Sequence, residues 1–174
     1  MRCCIAAPLI LGKSRKVVEK MFGFGKKDLV AGAPAVGRIL DITEVKDEVF
    51  SAKMMGDGIA VEPEGNEIIA PCDAKVTLVA GTRHAIGLEA SGVELLIHVG
   101  LDTVELEGKG FEVNVKEGAM VRKGDKLMSF DREYIVSQGK PLTTMLVLTN
   151  MDSKVKGVTK KLDQPDGVLV IKVK

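Results

Sequence analysis

From Gly32 to the C-terminus, short apolar runs alternate with clusters of turn-forming residues. Ten such runs fall at residues 36–42, 58–63, 67–71, 75–80, 85–90, 93–101, 111–115, 126–130, 143–149 and 167–173. Between them lie EPEGNE, ASG, EGKG, KEGA, RKGD and QPDG, rich in the Gly, Pro, Asn and Asp that reverse a chain. This spacing predicts an all-β fold, an antiparallel sandwich or barrel-like arrangement. Two stretches, residues 43–50 and 132–138, read as short helices. No long amphipathic helix is present, which argues against a doubly wound fold, and no tandem repeat recurs at a fixed period.

The run at residues 93–101, VELLIHVGL, places a histidine among aliphatic residues. Side chains two apart in a strand share a face. Leu95, Ile97, Val99 and Leu101 therefore form a core stripe, and Leu96, His98, Gly100 and Asp102 point the other way. His98 then projects from the far side of an anchored strand, with Gly100 leaving room and offering a carbonyl to fix the ring tautomer. The other histidine, His84, lies fourteen residues earlier in VAGTRHAIGLEA. That separation holds one strand, a turn at Ala90-Ser91-Gly92 and a second strand, so the two rings can meet on neighbouring strands. By the same count Thr82 faces with His84.

Composition narrows the chemistry. The 174 residues suit one domain with a sizeable core. With no Trp, one Tyr, five Phe and a net charge of +1, base stacking and nonspecific nucleic-acid binding are disfavoured. Cys3, Cys4 and Cys72 form no CxxC pair, so reduced thiols in a cytoplasmic protein are the simplest reading. An apolar run at residues 4–11 is too short to span a bilayer and lacks a clear cleavage site. Residues 1–20 are expected to lie outside the fold as an extension that is disordered or not native. A second methionine, Met21, opens a leader at residues 21–30, MFGFGKKDLV, with at most weak membrane-surface character. The folded domain is expected at residues 31–174. The lysine-rich segment KVKGVTKKL near the C-terminus reads as a solvated edge.

Two imidazoles, a threonine hydroxyl and a nearby carboxylate allow three uses. A catalytic zinc site would be sparse, with no HExxH spacing; the pair offers at most two ligands to adventitious zinc. A hydrolase lacks a nucleophile elbow, although Cys72 stays open as a nucleophile. A phosphoryl carrier has what it needs: a neutral imidazole nitrogen to attack phosphorus and a second ring to donate a hydrogen bond. A different class, a biotinyl- or lipoyl-type covalent carrier, is suggested by NEIIAPCD, VRKGDKL and Lys53 in SAKMM. Its half-motifs lie about fifty residues apart, however, and Lys53 precedes both. The alternative for KMM is core packing of the two methionines around an exposed lysine stem. GDGIA at Gly56 reads as a turn rather than a nucleotide loop.

VFSAKMMGDGIAVEP, TRHAIGL, SGVELLIHVGLDTVELEGKGF and TTMLVLTNM together resemble the glucose-type enzyme IIA (EIIA type 1) of the bacterial sugar phosphotransferase system, from about Val30 to Lys174. That resemblance implies a β-sandwich built as a duplicated hybrid motif, and a cytoplasmic carrier that needs no cofactor. It implies that His98 takes the phosphoryl group on its tele nitrogen, that His84 stabilises the phosphate and supports transfer, and that Thr82 and Gly100 orient the two rings. Phe50, Met54 and Met55 match an apolar rim, Asp47 and Asp102 acidic positions near it, and Val99 a partner-contacting position. The implied donor is the histidine-containing phosphocarrier protein HPr, and the implied acceptor a cysteine in the IIB domain of a sugar permease. The turn at Glu89-Ala90-Ser91-Gly92 is about one residue shorter than the family pattern, which a hairpin loop absorbs without a change of register.

Overall fold

The computed structural model describes residues 28–174. The expected extension and most of the expected leader lie outside the described residues. Thirteen strands occur among them: β1 (Leu29–Ala31), β2 (Gly37–Asp41), β3 (Asp57–Pro63), β4 (Glu67–Ile69), β5 (Ala74–Val79), β6 (Ala85–Ala90), β7 (Val93–Val99), β8 (Phe111–Val113), β9 (Met120–Val121), β10 (Lys126–Phe130), β11 (Thr144–Leu148), β12 (Val155–Lys160) and β13 (Leu169–Val173). The helices are short: α1 (Glu48–Ser51), α2 (Arg132–Ser137) and α3 (Met151–Lys154).

Every predicted run holds a strand, and every strand pair is antiparallel. A seven-stranded sheet in the order β2-β3-β11-β7-β6-β5-β9 is joined by two three-stranded sheets, β1-β13-β12 and β4-β10-β8. Ile59, Val61, Leu95, Ile97, Val99 and Leu146 of the large sheet share one buried cluster with Ile171, Leu127 and Phe130 of the small ones. The molecule is therefore an antiparallel β-sandwich whose main core lies between the large sheet and its two covers. Fully buried side chains such as Leu95 and Ile97 each stabilise it by about 1.5–3 kcal/mol.

The first strand begins inside the expected leader. Leu29 and Val30 pair with Ile171 and Val170 near the other end of the chain; no local pattern announces a three-residue strand held by so distant a partner. The lysine-rich C-terminal segment is β12, at the edge of its sheet.

The single helix expected at residues 43–50 is instead two short pieces. Asp41 caps a 3-10 turn at Ile42–Glu44, forming a reciprocal capping box with Glu44. Asp47 then caps α1 by accepting from the backbone N–H groups of Val49 and Phe50. Each aspartate starts a new element, and neither piece grows past a turn. The helix expected at 132–138 forms as α2, capped by Asp131.

This segment covers the outer face of the large sheet. Ile42, Val45, Phe50, Ala60, Leu101, Met145 and Val147 make a second, smaller buried cluster there. Leu101 was expected in the main core with Leu95, Ile97 and Val99, and the structure places it in this second cluster instead. The strand ends at Val99, and Gly100 turns the chain with φ +77°, so the alternation does not carry through to Leu101.

The hairpin between β6 and β7 keeps its register, with Ala90 opposite Val93 and Ala85 opposite His98. Its two-residue loop, Ser91-Gly92, has positive φ at both positions (53° and 80°), the type I′ geometry that suits strand twist.

One lysine of β12 is not the solvated edge residue that composition suggested. Lys160 Nζ lies 2.7 Å from Asp41 Oδ2 and 2.5 Å from Asp57 Oδ1, with its side chain only 15% exposed. Asp57 also pairs with Lys53 at 3.0 Å. Burial pushes the Asp41 carboxyl up, but hydrogen bonds from Lys160 and Thr43 outweigh it and hold the group at about 2; Asp57 is shifted down in the same sense. A depressed carboxylate stabilises the fold above its unfolded value and loses that contribution as it takes up a proton. The share of the urea midpoint that these carboxylates contribute is therefore expected to hold down to about pH 4, then fall as the pH drops through about 2. In a Lys160→Met protein that acid-dependent fall should be visibly smaller.

Candidate functional site

The hairpin and its neighbour place the two imidazoles together. His98 is the penultimate residue of β7, on the outer face of the sheet, with Met145 of β11 on one side and Ala85 of β6 on the other. His84 immediately precedes β6, in the turn that leads into it. The ring centroids are 4.7 Å apart with planes at 76°. Phe50 of α1 closes a third side, its ring 5.1 Å from that of His98 at 61°.

Each ring is fixed through Nδ1. His98 Nδ1 donates to the Gly100 carbonyl at 3.0 Å, which leaves Nε2 with its lone pair. His84 Nδ1 lies 2.6 Å from Thr82 Oγ1. Thr82 and His84 thus face the same way, but through a turn with Arg83 at φ +55° and not through a continuous strand. Burial lowers His98 to about 4, with the neighbouring His84 adding to the effect; the Gly100 hydrogen bond, then Asp47 and Asp102, oppose it. Burial lowers His84 as well. Both rings are therefore neutral at physiological pH, as a nitrogen nucleophile requires.

Gly100 is held tightly. Its N–H donates to the Thr143 carbonyl, and the next N–H, on Leu101, donates to Pro141. A Cβ at Gly100 would lie 2.4 Å from Thr103 Cγ2 and 2.8 Å from the Pro141 oxygen, on a backbone at φ +77°. Thr103, fully buried, donates from Oγ1 to the Val99 carbonyl at 2.6 Å and closes the same turn. Sequence reasoning quoted this threonine within HVGLDTV without giving it a role. A Gly100→Ala substitution is expected to cost about 2 kcal/mol or more in urea unfolding. It should also displace the carbonyl that fixes His98, read as a change in the His98 Nδ1–H resonance.

The other expected site residues divide. Met54 (73% exposed) and Met55 (38% exposed) present accessible apolar side chains, as do Val49 and Val104. The methionines are not packed in a core, contrary to one reading of KMM. Phe50 is buried at 7% exposure, so it shields His98 more than it presents a surface. Val99 was expected to touch partners, but its side chain is fully buried in the main core and points away from His98. Asp47 spends its carboxylate on the α1 cap. Asp102, exposed, sits in the left-handed region at φ +56°.

The competing chemistries lose their residues. Cys72 is buried, with its thiol pushed up to about 11 mainly by burial, so it is a poor nucleophile. Lys53 lies in the turn after α1 and is paired with Asp57, not displayed at a hairpin tip. A Cβ at Gly56 would lie 1.9 Å from the Leu148 carbonyl oxygen; glycine there permits close approach to β11. No group of three or more His, Cys, Asp or Glu side chains among the described residues is arranged to hold a metal. A concavity of about 790 Å³ between Glu64, Phe111 and Arg132 includes neither imidazole in its lining.

The model of the phosphoenolpyruvate-dependent sugar phosphotransferase system EIIA 1 family matches residues 30–154. The chain belongs to this family. The glucose-specific EIIA component of Bacillus cereus is 46% identical over 138 residues, spanning 78% of this chain and 84% of that protein. The Staphylococcus carnosus glucose-specific EIICBA component is 48% identical over 146 residues, which are 82% of this chain but 22% of that longer protein. Among solved structures, glucose permease IIA from Mycoplasma capricolum superposes with a TM-score of 0.69 at 34% identity, covering 86% of this chain and 94% of that one. Family membership makes the chain a phosphocarrier, and so a phosphotransferase component, in sugar transport by this system. No helix among the described residues is long and apolar enough to cross a membrane.

Proposed function

We propose that His98 is the phosphoryl acceptor of this carrier, taking the group from HPr on Nε2 and passing it to a cysteine of a permease IIB domain. The observation that carries this reading is the pair of oriented, neutral rings 4.7 Å apart, one with Nδ1 committed to the Gly100 carbonyl. In the first step the donor's N–P bond breaks as His98 Nε2 forms a new one. In the second, the cysteine sulfur displaces that nitrogen. Such transfer needs in-line positioning and charge stabilisation rather than covalent assistance.

His84 supplies the stabilisation. In the tautomer where Thr82 donates its hydroxyl proton to Nδ1, His84 carries its own proton on Nε2 and can donate it to a phosphoryl oxygen. The exposed Met54, Met55, Val49 and Val104 offer an adaptable apolar surface on which partners dock and exclude water from a hydrolysable phosphoramidate. Homologues such as the Staphylococcus carnosus EIICBA component carry the EIIA region within one chain, which supports a IIB domain as acceptor. The carrier is then placed on the cytoplasmic side of its permease.

Intact-mass measurement tests this. After incubation with phosphoenolpyruvate, enzyme I and HPr, one acid-labile phosphoryl group should appear, mapping to the peptide with His98. A stable adduct on Lys53, or phosphorylation elsewhere, would overturn the assignment.

A further inference from the structure

Residues 41–57 leave the large sheet at the end of β2 and return to it at the start of β3. This excursion carries α1 and sets the Phe50 ring against His98. Both of its ends are aspartates, and both bind the same ammonium group, that of Lys160 on β12. Asp41 lies opposite Ile59 in the β2–β3 pair, and Asp57 is two residues from Ile59, so the two carboxylates share a sheet face. Ile59 belongs to the main core, where β12 and its sheet pack. The lysine therefore reaches the base of the excursion from the face opposite to His98.

We propose that Lys160 is a positioning residue for the site: by tying Asp41 and Asp57 together it clamps both ends of the excursion and so holds Phe50 over His98. The inference rests on the reading of His98 as the functional ring. The geometry explains why one cation must serve both ends. Asp41 already caps the 3-10 turn through Thr43, and Asp57 accepts from Gly58 N–H and pairs with Lys53. Without Lys160, two partly buried carboxylates share that face with only Asp57 still paired, to Lys53, and their repulsion opens the base. The small cluster that seats α1 contains only seven buried members, Phe50 among them. Once α1 lifts, water reaches the His98 ring.

The test uses the unphosphorylated full chain without partners, so it is independent of whether His98 accepts phosphate. NMR of Lys160→Met is expected to show loss of the Phe50–His98 ring contact and a His98 titration midpoint raised by about one unit. Phe50→Ala should reproduce that rise, and Lys160→Arg should restore both readings. If Lys160→Met folds poorly, the charge-free Asp41→Asn/Asp57→Asn/Lys160→Met protein removes the repulsion; it should fold and still show a weakened ring contact. A folded Lys160 variant with the ring contact and the His98 midpoint unchanged would overturn the proposal. So would a His98 midpoint unmoved by Phe50→Ala.

Discussion

A His98→Gln protein is expected to take up no phosphoryl group from phosphorylated HPr, while its urea midpoint stays close to that of the parent. The ring sits on the outer face of β7, opposite the packed stripe of Leu95, Ile97 and Val99, so its removal leaves the main core intact. What disappears is the one nitrogen whose partner atom, Nδ1, is fixed by the Gly100 carbonyl. Glutamine fills much of the volume but cannot form the N–P bond. The wild-type rate should also be insensitive to acid over an unusual range. Burial holds the His98 midpoint at about 4, whereas a free imidazole titrates near 6.5. The acceptance rate is therefore expected to stay level from neutral pH down to about pH 5, where an exposed ring would already be mostly protonated. Uptake by His98→Gln, or a rate that falls with a midpoint near 6.5, would remove His98 from the acceptor role.

A His84→Gln protein should behave differently. Its His98 keeps the Gly100 hydrogen bond and the Phe50 cover, so acceptance is expected within about tenfold of the parent. Onward transfer to a IIB domain should fall by about a hundredfold to a thousandfold, the usual effect of removing one donor from a developing charge. The amide can donate, but it lacks the Thr82 contact that sets the direction of the imidazole proton. Single-turnover assays with isolated phosphorylated protein separate the two steps. Equal losses in both would mean that the second ring serves acceptance and transfer alike.

Much of this site could be read from the chain before any coordinates. The hairpin was legible because Ala85–Ala90 and Val93–Val99 are strongly apolar and Ser-Gly marks the reversal between them. The face of His98 followed from a period of two, and failed only where the strand stopped at Gly100. What could not be read depends on partners far along the chain. β1 exists because Ile171 and Val170 pair with it, and β12 has an irregular, lysine-rich sequence whose strand state comes from β13. Lys160 looked solvated because nothing in KVKGVTKKL announces two aspartates more than a hundred residues away. Val99 was taken for a contact residue from the resemblance, although the alternation that faced His98 outward already turned its neighbour inward.

The Ser91-Gly92 loop closes the end of the hairpin away from the imidazoles, six residues or about 20 Å of extended chain from His98. Length changes there are absorbed by the loop, since Ala90 and Val93 stay opposed. That tip is accordingly the natural attachment point for a fluorophore or an affinity handle: a reporter there would ride on the same two strands as the rings without standing between them and an approaching protein.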